Sequence, residues 1–197
     1  MNNKLVILTG VGLKPVNHIF RDITTEEPTH TEVFVDGIKY KANIGAATAY
    51  ELCKAGFSVH MLARTEKNLE TVQKWIKNDL PEAQIFYTPV DLKNEKQVND
   101  FISSLPKNKI IYWVQSVGLG GGTVKVKDNN PYLTIENISS ELVEAEMTVL
   151  KDTVAFLQKL LPLFKKQKET KICIVSSMSA IRSVPGGSIH NAAKGAI

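Results

Sequence analysis

Short uninterrupted apolar runs punctuate the chain at positions 5–8, 57–62, 84–88, 110–114 and 171–176. Apolar runs without alternation predict strands buried on both faces. Between them lie patterns of helical period over 44–55, 66–78, 94–104 and 140–164. Strands alternating with helices predict an α/β fold: a doubly wound parallel sheet with right-handed crossovers, in three α/β/α layers.

One segment breaks this rhythm, because no helix follows Gly10 until Ile44. Within it, the runs at 32–35 and 38–41 flank Asp36-Gly37, a strong two-residue hairpin signal. The reading is a single domain over 1–197 with an inserted hairpin segment at about 13–41. Connections of this kind usually have about 2 to 6 residues, and long ones tend to be lids or mobile segments. A substrate lid is one role for it.

The long pattern at 140–164 carries two apolar stripes. Val143, Met147, Leu150, Val154, Leu157, Leu161 and Phe164 form one, and Leu142, Val149, Phe156 and Leu163 the other. One stripe packs on the sheet. The second either widens that buried face or forms a subunit contact, and the latter, a homo-oligomer through the 140–164 helix, is favoured.

Composition narrows the class. With 197 residues, 43% hydrophobic and 22% charged, the chain is globular rather than disordered. No apolar run approaches the roughly 20 residues of a membrane span. The apolar stretch after Lys4 is too short for a signal peptide, so the cytoplasm is the expected compartment. Cys53 and Cys173 read as small core residues in a reducing environment. A net charge of +4, spread along the chain, gives no case for a nucleic-acid partner. His18, Asp22, Glu26 and His30 read as scattered polar loop residues, and no metal site is expected.

Three features then occur in order. A Gly-bearing turn, Thr9-Gly10, follows the first strand; Arg64 ends the second; Ser177, His190 and Lys194 follow the fifth, with thirteen positions from Ser177 to His190 and four from His190 to Lys194. Together they resemble the short-chain dehydrogenase/reductase family, a Rossmann-fold group that moves hydride between NAD(P) and an alcohol or carbonyl. In that family the first motif is Thr-Gly-x-x-x-Gly-x-Gly. Here Gly10 supplies its start and Asn43-Ile44-Gly45 its end, 35 positions away where the pattern has six. The glycines let the backbone turn sharply and let pyrophosphate approach a helix N-terminus. Asn43 stands where the middle glycine would be, as one of the few residues that visits positive φ at modest cost. The excursion carries one more acid than base among its Lys, Arg, Asp and Glu residues, which gives no attraction for phosphate.

Arg64 lies 19 positions after Gly45, where an acid would bond the ribose 2′-hydroxyl of NAD and an arginine accommodates the 2′-phosphate of NADP. NADP(H) is therefore favoured over NAD(H). Asp91, with Leu92, matches the family position that contacts adenine, and equally suits the N-cap of the next helix. Gln115-Ser116-Val117-Gly118 stands where the family has Asn-Asn-Ala-Gly, and Gly120-Gly121-Gly122 follows. A family asparagine that supports a proton-relay water falls at Val149, which cannot hold one.

The Ser-Tyr-Lys spacing of the family is kept, with His190 in the tyrosine place. The resemblance implies that Ser177 bonds the substrate oxygen and that Lys194 bonds the nicotinamide ribose. Residues four apart share a helix face. A nearby ammonium disfavours imidazolium, so His190 beside Lys194 reads as a base more than an acid. The expected activity is NADP(H)-dependent hydride transfer on a small alcohol or carbonyl. The alternative is a catalytically impaired relative that binds nucleotide or other subunits. Its relatives continue beyond the position of Ile197, so a missing C-terminal part, or a partner that replaces it, is also expected.

Overall fold

The computed structural model describes residues 3–16, 32–118, 138–182 and 187–197. The triple glycine at 120–122 and the His18, Asp22, Glu26 and His30 set lie outside the described residues. Five parallel strands form the main sheet: β1 (Lys4–Thr9), β5 (Ser58–Ala63), β6 (Ile85–Pro89), β7 (Ile110–Gln115) and β8 (Ile172–Ile174), in the order β6-β5-β1-β7-β8. Each was legible as an apolar run. Pairing is in register from Leu5 opposite Ser58 to Thr9 opposite Leu62 on one side, and from Lys4 opposite Ile110 to Thr9 opposite Gln115 on the other.

Helices α1 (Ile44–Lys54), α2 (Glu66–Asp79), α3 (Glu95–Ser104) and α4 (Ser140–Phe164) coincide with the sequence patterns to within two residues, and α5 (Ser188–Gly195) completes the set. Strand side chains alternate between two cores. Leu8, Val59 and Met61 pack with Ala46, Ala49, Leu69 and Trp75 from α1 and α2. Leu5, Ile7, Leu62, Ile111 and Trp113 pack with Val98, Phe101, Phe156 and Leu160 from α3 and α4. The α/β/α layering follows directly: a sheet apolar on both faces must be covered on both.

On α4 the inward face is Glu146, Val149, Thr153, Phe156, Leu160 and Phe164. It takes Val149 and Phe156 from one predicted stripe, and leaves Val154 and Leu161 of the other 46% and 37% exposed. Phe156 meets Trp113 edge to face, with centroids 5.4 Å apart.

The excursion after β1 is a second, three-stranded antiparallel sheet of β2 (Leu13–Pro15), β3 (Glu32–Val35) and β4 (Ile38–Ala42), in the order β2-β4-β3. Asp36 and Gly37 take φ of 52° and 75°, the two positive values that a tight hairpin turn needs. Strand β2 had no signal in the pattern, being three residues long; it pairs Leu13 with Ala42 and so zips the two ends of the excursion together. Val33, Val35 and Leu13 join the α1/α2 core, and Lys74 of α2 pairs with Asp36 at 2.6 Å. The excursion is thus docked on α2.

Candidate active site

Strand β1 is flanked by β5, which leads away on one side, and β7, which leads away on the other. Doubly wound sheets place ligands at this switch point, beyond the carboxyl ends of the strands. A cleft of about 450 Å³ opens there. Its floor begins at Gly10, whose φ of 86° and close approach both exclude a side chain: a Cβ would lie 2.5 Å from Val117 N. A Cβ on Gly45 would lie 2.5 Å from Gly10 O, so α1 can sit against the turn only with glycine there.

Asn43 turns out to have a different task from the one its φ tolerance suggested. Its backbone is extended, at φ −78°, and it caps α1. Its Oδ1 accepts from Ala46 N at 2.8 Å and from Gly12 N at 3.1 Å, while its Nδ2 donates to Gly10 O at 2.9 Å. Asn43 N also donates to Gly12 O at 3.2 Å. The chain therefore leaves the turn at Gly12 and returns beside it at Asn43, and the turn is closed across the excursion. Ser116 Oγ is buried here without a hydrogen-bond partner among the described residues. The glycine cradle, the α1 N-terminus and this orphaned hydroxyl fit a dinucleotide pyrophosphate.

At one end the cleft is walled by Arg64, Thr65, Asn68, Asp91, Leu92 and Lys93, joined by Lys14 from the excursion. The charge count of the excursion is thus a poor guide. Asp36 and Glu32 are engaged with Lys74 and Lys39, while Lys14 lies on the cleft. Asp91 is not a helix cap: Asn94 caps α3 by accepting from Gln97 N at 3.1 Å, and Asp91 Oδ1 accepts from Lys93 N. Across the cleft, burial pushes the Asp152 carboxyl up, opposed by Lys93 and Arg64.

The other end is reached at Gly118, where a Cβ would lie 3.1 Å from Lys194 Nζ. Lys194 is buried, and burial pushes its ammonium below the usual lysine range while Glu146 opposes this. Ser176 Oγ donates to Lys194 O at 2.6 Å, tying the end of β8 to α5. Ser177 Oγ accepts from Ser179 N at 3.1 Å, at the start of the 3-10 turn Met178–Ala180 that packs on α5. His190 Nδ1 lies 3.0 Å from Glu146 Oε1, across from α4.

Gly10, Asn43, Arg64, Asp91, Leu92 and Gly118 all line the cleft. Gly45 lies beneath the turn, and Ile44, 61% exposed, is not among the residues that line the cleft. Lys194 meets the cleft wall through Gly118, whereas Ser177 and His190 are not among the residues that line this cleft: His190 shares α5 with Lys194, and Ser177 precedes the 3-10 turn packed on α5. The counted position Val149 is buried on the cleft, and the polar group facing His190 comes one turn earlier on α4, from Glu146. Glu146 had a usable signal: it is the acid in an otherwise inward-facing stripe. Gln115 has a structural role, accepting from Thr9 Oγ1 at 2.6 Å and Val117 N at 2.9 Å and donating to Thr153.

A protein-family model for short chain dehydrogenases matches residues 40–197. The chain belongs to the short-chain dehydrogenase family. Proteins that it resembles in sequence include an uncharacterized oxidoreductase of Listeria monocytogenes, 27% identical over 159 residues, covering 79% of this chain and 59% of that protein. A second, from Listeria innocua, matches to the same extent. Among solved structures, an NADPH-bound short chain oxidoreductase of Pseudomonas aeruginosa PAO1, described as containing an atypical catalytic center, superposes with a TM-score of 0.69 at 18% identity, over 97% of this chain and 60% of that one. Levodione reductase gives 0.68 at 18% identity, over 99% and 62%. The chain thus spans about 60% of the length of these relatives. Among the described residues no helix is long and apolar enough to cross a membrane, and no group of His, Cys, Asp and Glu could hold a metal ion.

Proposed function

We propose that this short-chain dehydrogenase binds NADP(H) in the switch-point cleft and interconverts a small alcohol and its carbonyl compound in the cytoplasm. The observation that carries the reading is a cleft with the cations Lys14, Arg64 and Lys93 at one end and Gly118, backed by Lys194, at the other, with the glycine cradle between them. A bound nicotinamide dinucleotide would supply or accept the hydride. Gly10, Gly45 and the α1 N-terminus would hold its pyrophosphate, and Lys194 beside Gly118 would hold its nicotinamide ribose. Ser177 would bond the substrate oxygen, and His190 would exchange the proton there. The NADPH-bound state of the Pseudomonas relative supports a reduced, phosphorylated dinucleotide as the ligand.

Lys14 sharpens the cofactor preference. Three cations at the adenosine end of the cleft, Lys14, Arg64 and Lys93, suit the 2′-phosphate of NADP better than the 2′-hydroxyl of NAD. Titrations of the purified chain should give tighter binding of NADPH than of NADH, with the preference reduced in Lys14→Ala and abolished in Arg64→Ala. Equal affinities for the two dinucleotides in the unaltered chain would rule the reading out.

A further inference from the structure

The acid that faces His190 is expensive to keep. Glu146 lies on the inward stripe of α4, with a side chain only 8% exposed, where its neighbours along the stripe are Val149, Thr153 and Phe156. An apolar residue would pack there without desolvating a carboxylate. Glu146 is instead placed between two groups of α5, with His190 Nδ1 at 3.0 Å and the Lys194 ammonium within its field. His190 and Lys194 are one helical turn apart and so share the face of α5 towards this acid, His190 in contact with it and Lys194 through its field. We propose that Glu146 is a positioning residue for His190, holding the ring with its proton on Nδ1 and so presenting Nε2 as the atom that exchanges a proton with the substrate oxygen.

The proposal rests on the oxidoreductase reading for its substrate and adds how the site works without a tyrosine. A carboxylate accepting from Nδ1–H settles the tautomer, because a neutral imidazole carries one N–H and the other nitrogen keeps its lone pair. During alcohol oxidation the hydroxyl proton passes to Nε2 and the carbonyl double bond forms. The C–H pair of electrons leaves as hydride to the nicotinamide dinucleotide, which is the oxidant. His190 is then an imidazolium beside Lys194, and that pair of positive charges is what Glu146 offsets. In the reverse direction Nε2 returns the proton as the carbonyl is reduced. Lys194 alone would disfavour the charged ring; with the Glu146 carboxylate at Nδ1, one residue serves both directions.

Long-range 15N–1H correlation spectra of the cofactor-free chain test this without turnover, the His190 signals being identified by their loss in His190→Gln. The unaltered chain should show protonated Nδ1 and bare Nε2 at neutral to mildly basic pH. Glu146→Ala should revert the ring to the Nε2–H form that free imidazoles favour. Glu146→Gln keeps the side-chain volume and so should keep the fold, but its amide can donate to Nδ1 as readily as accept from it, so the variant loses the charge and no longer fixes the tautomer. Its kcat on a panel of secondary alcohols should then fall about 10²- to 10⁴-fold with KM little changed. An Nε2–H ring in the unaltered chain, or a Glu146→Gln chain with undiminished kcat, would overturn the assignment. A chain that holds Nδ1–H yet oxidises no alcohol supports the assignment and overturns the oxidoreductase reading instead.

Discussion

Two regions of the site, the glycine cradle and the neighbourhood of Lys194, are built from different materials. Around Gly10, Gly12, Asn43 and Gly45 the surface is main chain, and its shape depends on where the backbone goes. Around Gly118, Glu146, His190 and Lys194 it is side chain, and its chemistry depends on which groups three separate elements bring together. The backbone end absorbs a whole extra sheet, because β2 and β4 carry the chain out and back to adjacent points and Asn43 bonds across the gap. The side-chain end cannot absorb a change in that way. Under the proposed mechanism an imidazole in place of a phenol alters the proton chemistry, and the acid that faces it sits on another helix.

If this contrast is right, an added methyl group should act differently at the two ends. Gly10→Ala meets main chain at 2.5 Å and keeps a positive φ, so a loss of ~3 kcal/mol, a drop of about 10 °C in melting temperature, and no dinucleotide binding are expected. Gly118→Ala meets only the tip of Lys194, at 3.1 Å, so its melting temperature should stay within about 2 °C while turnover falls. Similar thermal melts for the two variants would break the comparison.

The sheet beneath both ends has its own weak point. His60 on β5 stacks edge-on to Phe101 with centroids 5.0 Å apart, bonds Thr88 Oγ1 at 2.8 Å, and is pushed by burial from 6.5 down to about 4. The folded state therefore holds it neutral while the unfolded chain binds a proton below its ordinary value. Stability is full above about pH 6.5 and is lost as the pH falls towards 4, by up to ~3 kcal/mol. Urea midpoints across that window should show this slope, and His60→Phe should flatten it. A slope that persists in the variant would assign it to other groups.

Asn43→Ala is the smallest and most local of these tests. Losing the α1 cap costs about 1 kcal/mol, and the bonds to Gly10 O and Gly12 N are lost with it. A modest fall in denaturation midpoint with a several-fold weaker NADPH affinity is expected. Unchanged affinity would show that the strands of the excursion, rather than Asn43, hold the turn closed.

Much of the main sheet could be read without a structure, since runs such as Leu5 to Leu8 are buried on both faces and nothing but a covered strand suits them. The Asp36-Gly37 turn was legible for a similar reason: few residue pairs take two positive φ values in a row. Strand β2 was not, because Leu13, Lys14 and Pro15 are extended by virtue of their partner β4. At the candidate site, Ser177, His190 and Lys194 were nominated by spacing, which survives substitution of one member. Lys14 was hidden in a segment whose summed charge is negative, and Glu146 in a helix 44 positions before its partner in the chain.

By itself the sequence determined the periodicities, and with them the order of strands and helices along the chain and the layering. Those properties are local, set by the backbone preferences and burial of a few neighbouring residues. Only the tertiary structure decided that the excursion closes on itself, that its lysine joins Arg64 on one cleft, and that an acid on α4 meets the histidine on α5. Each of these is a contact between residues far apart in the chain, and what a charged side chain does depends on which partner the fold puts beside it.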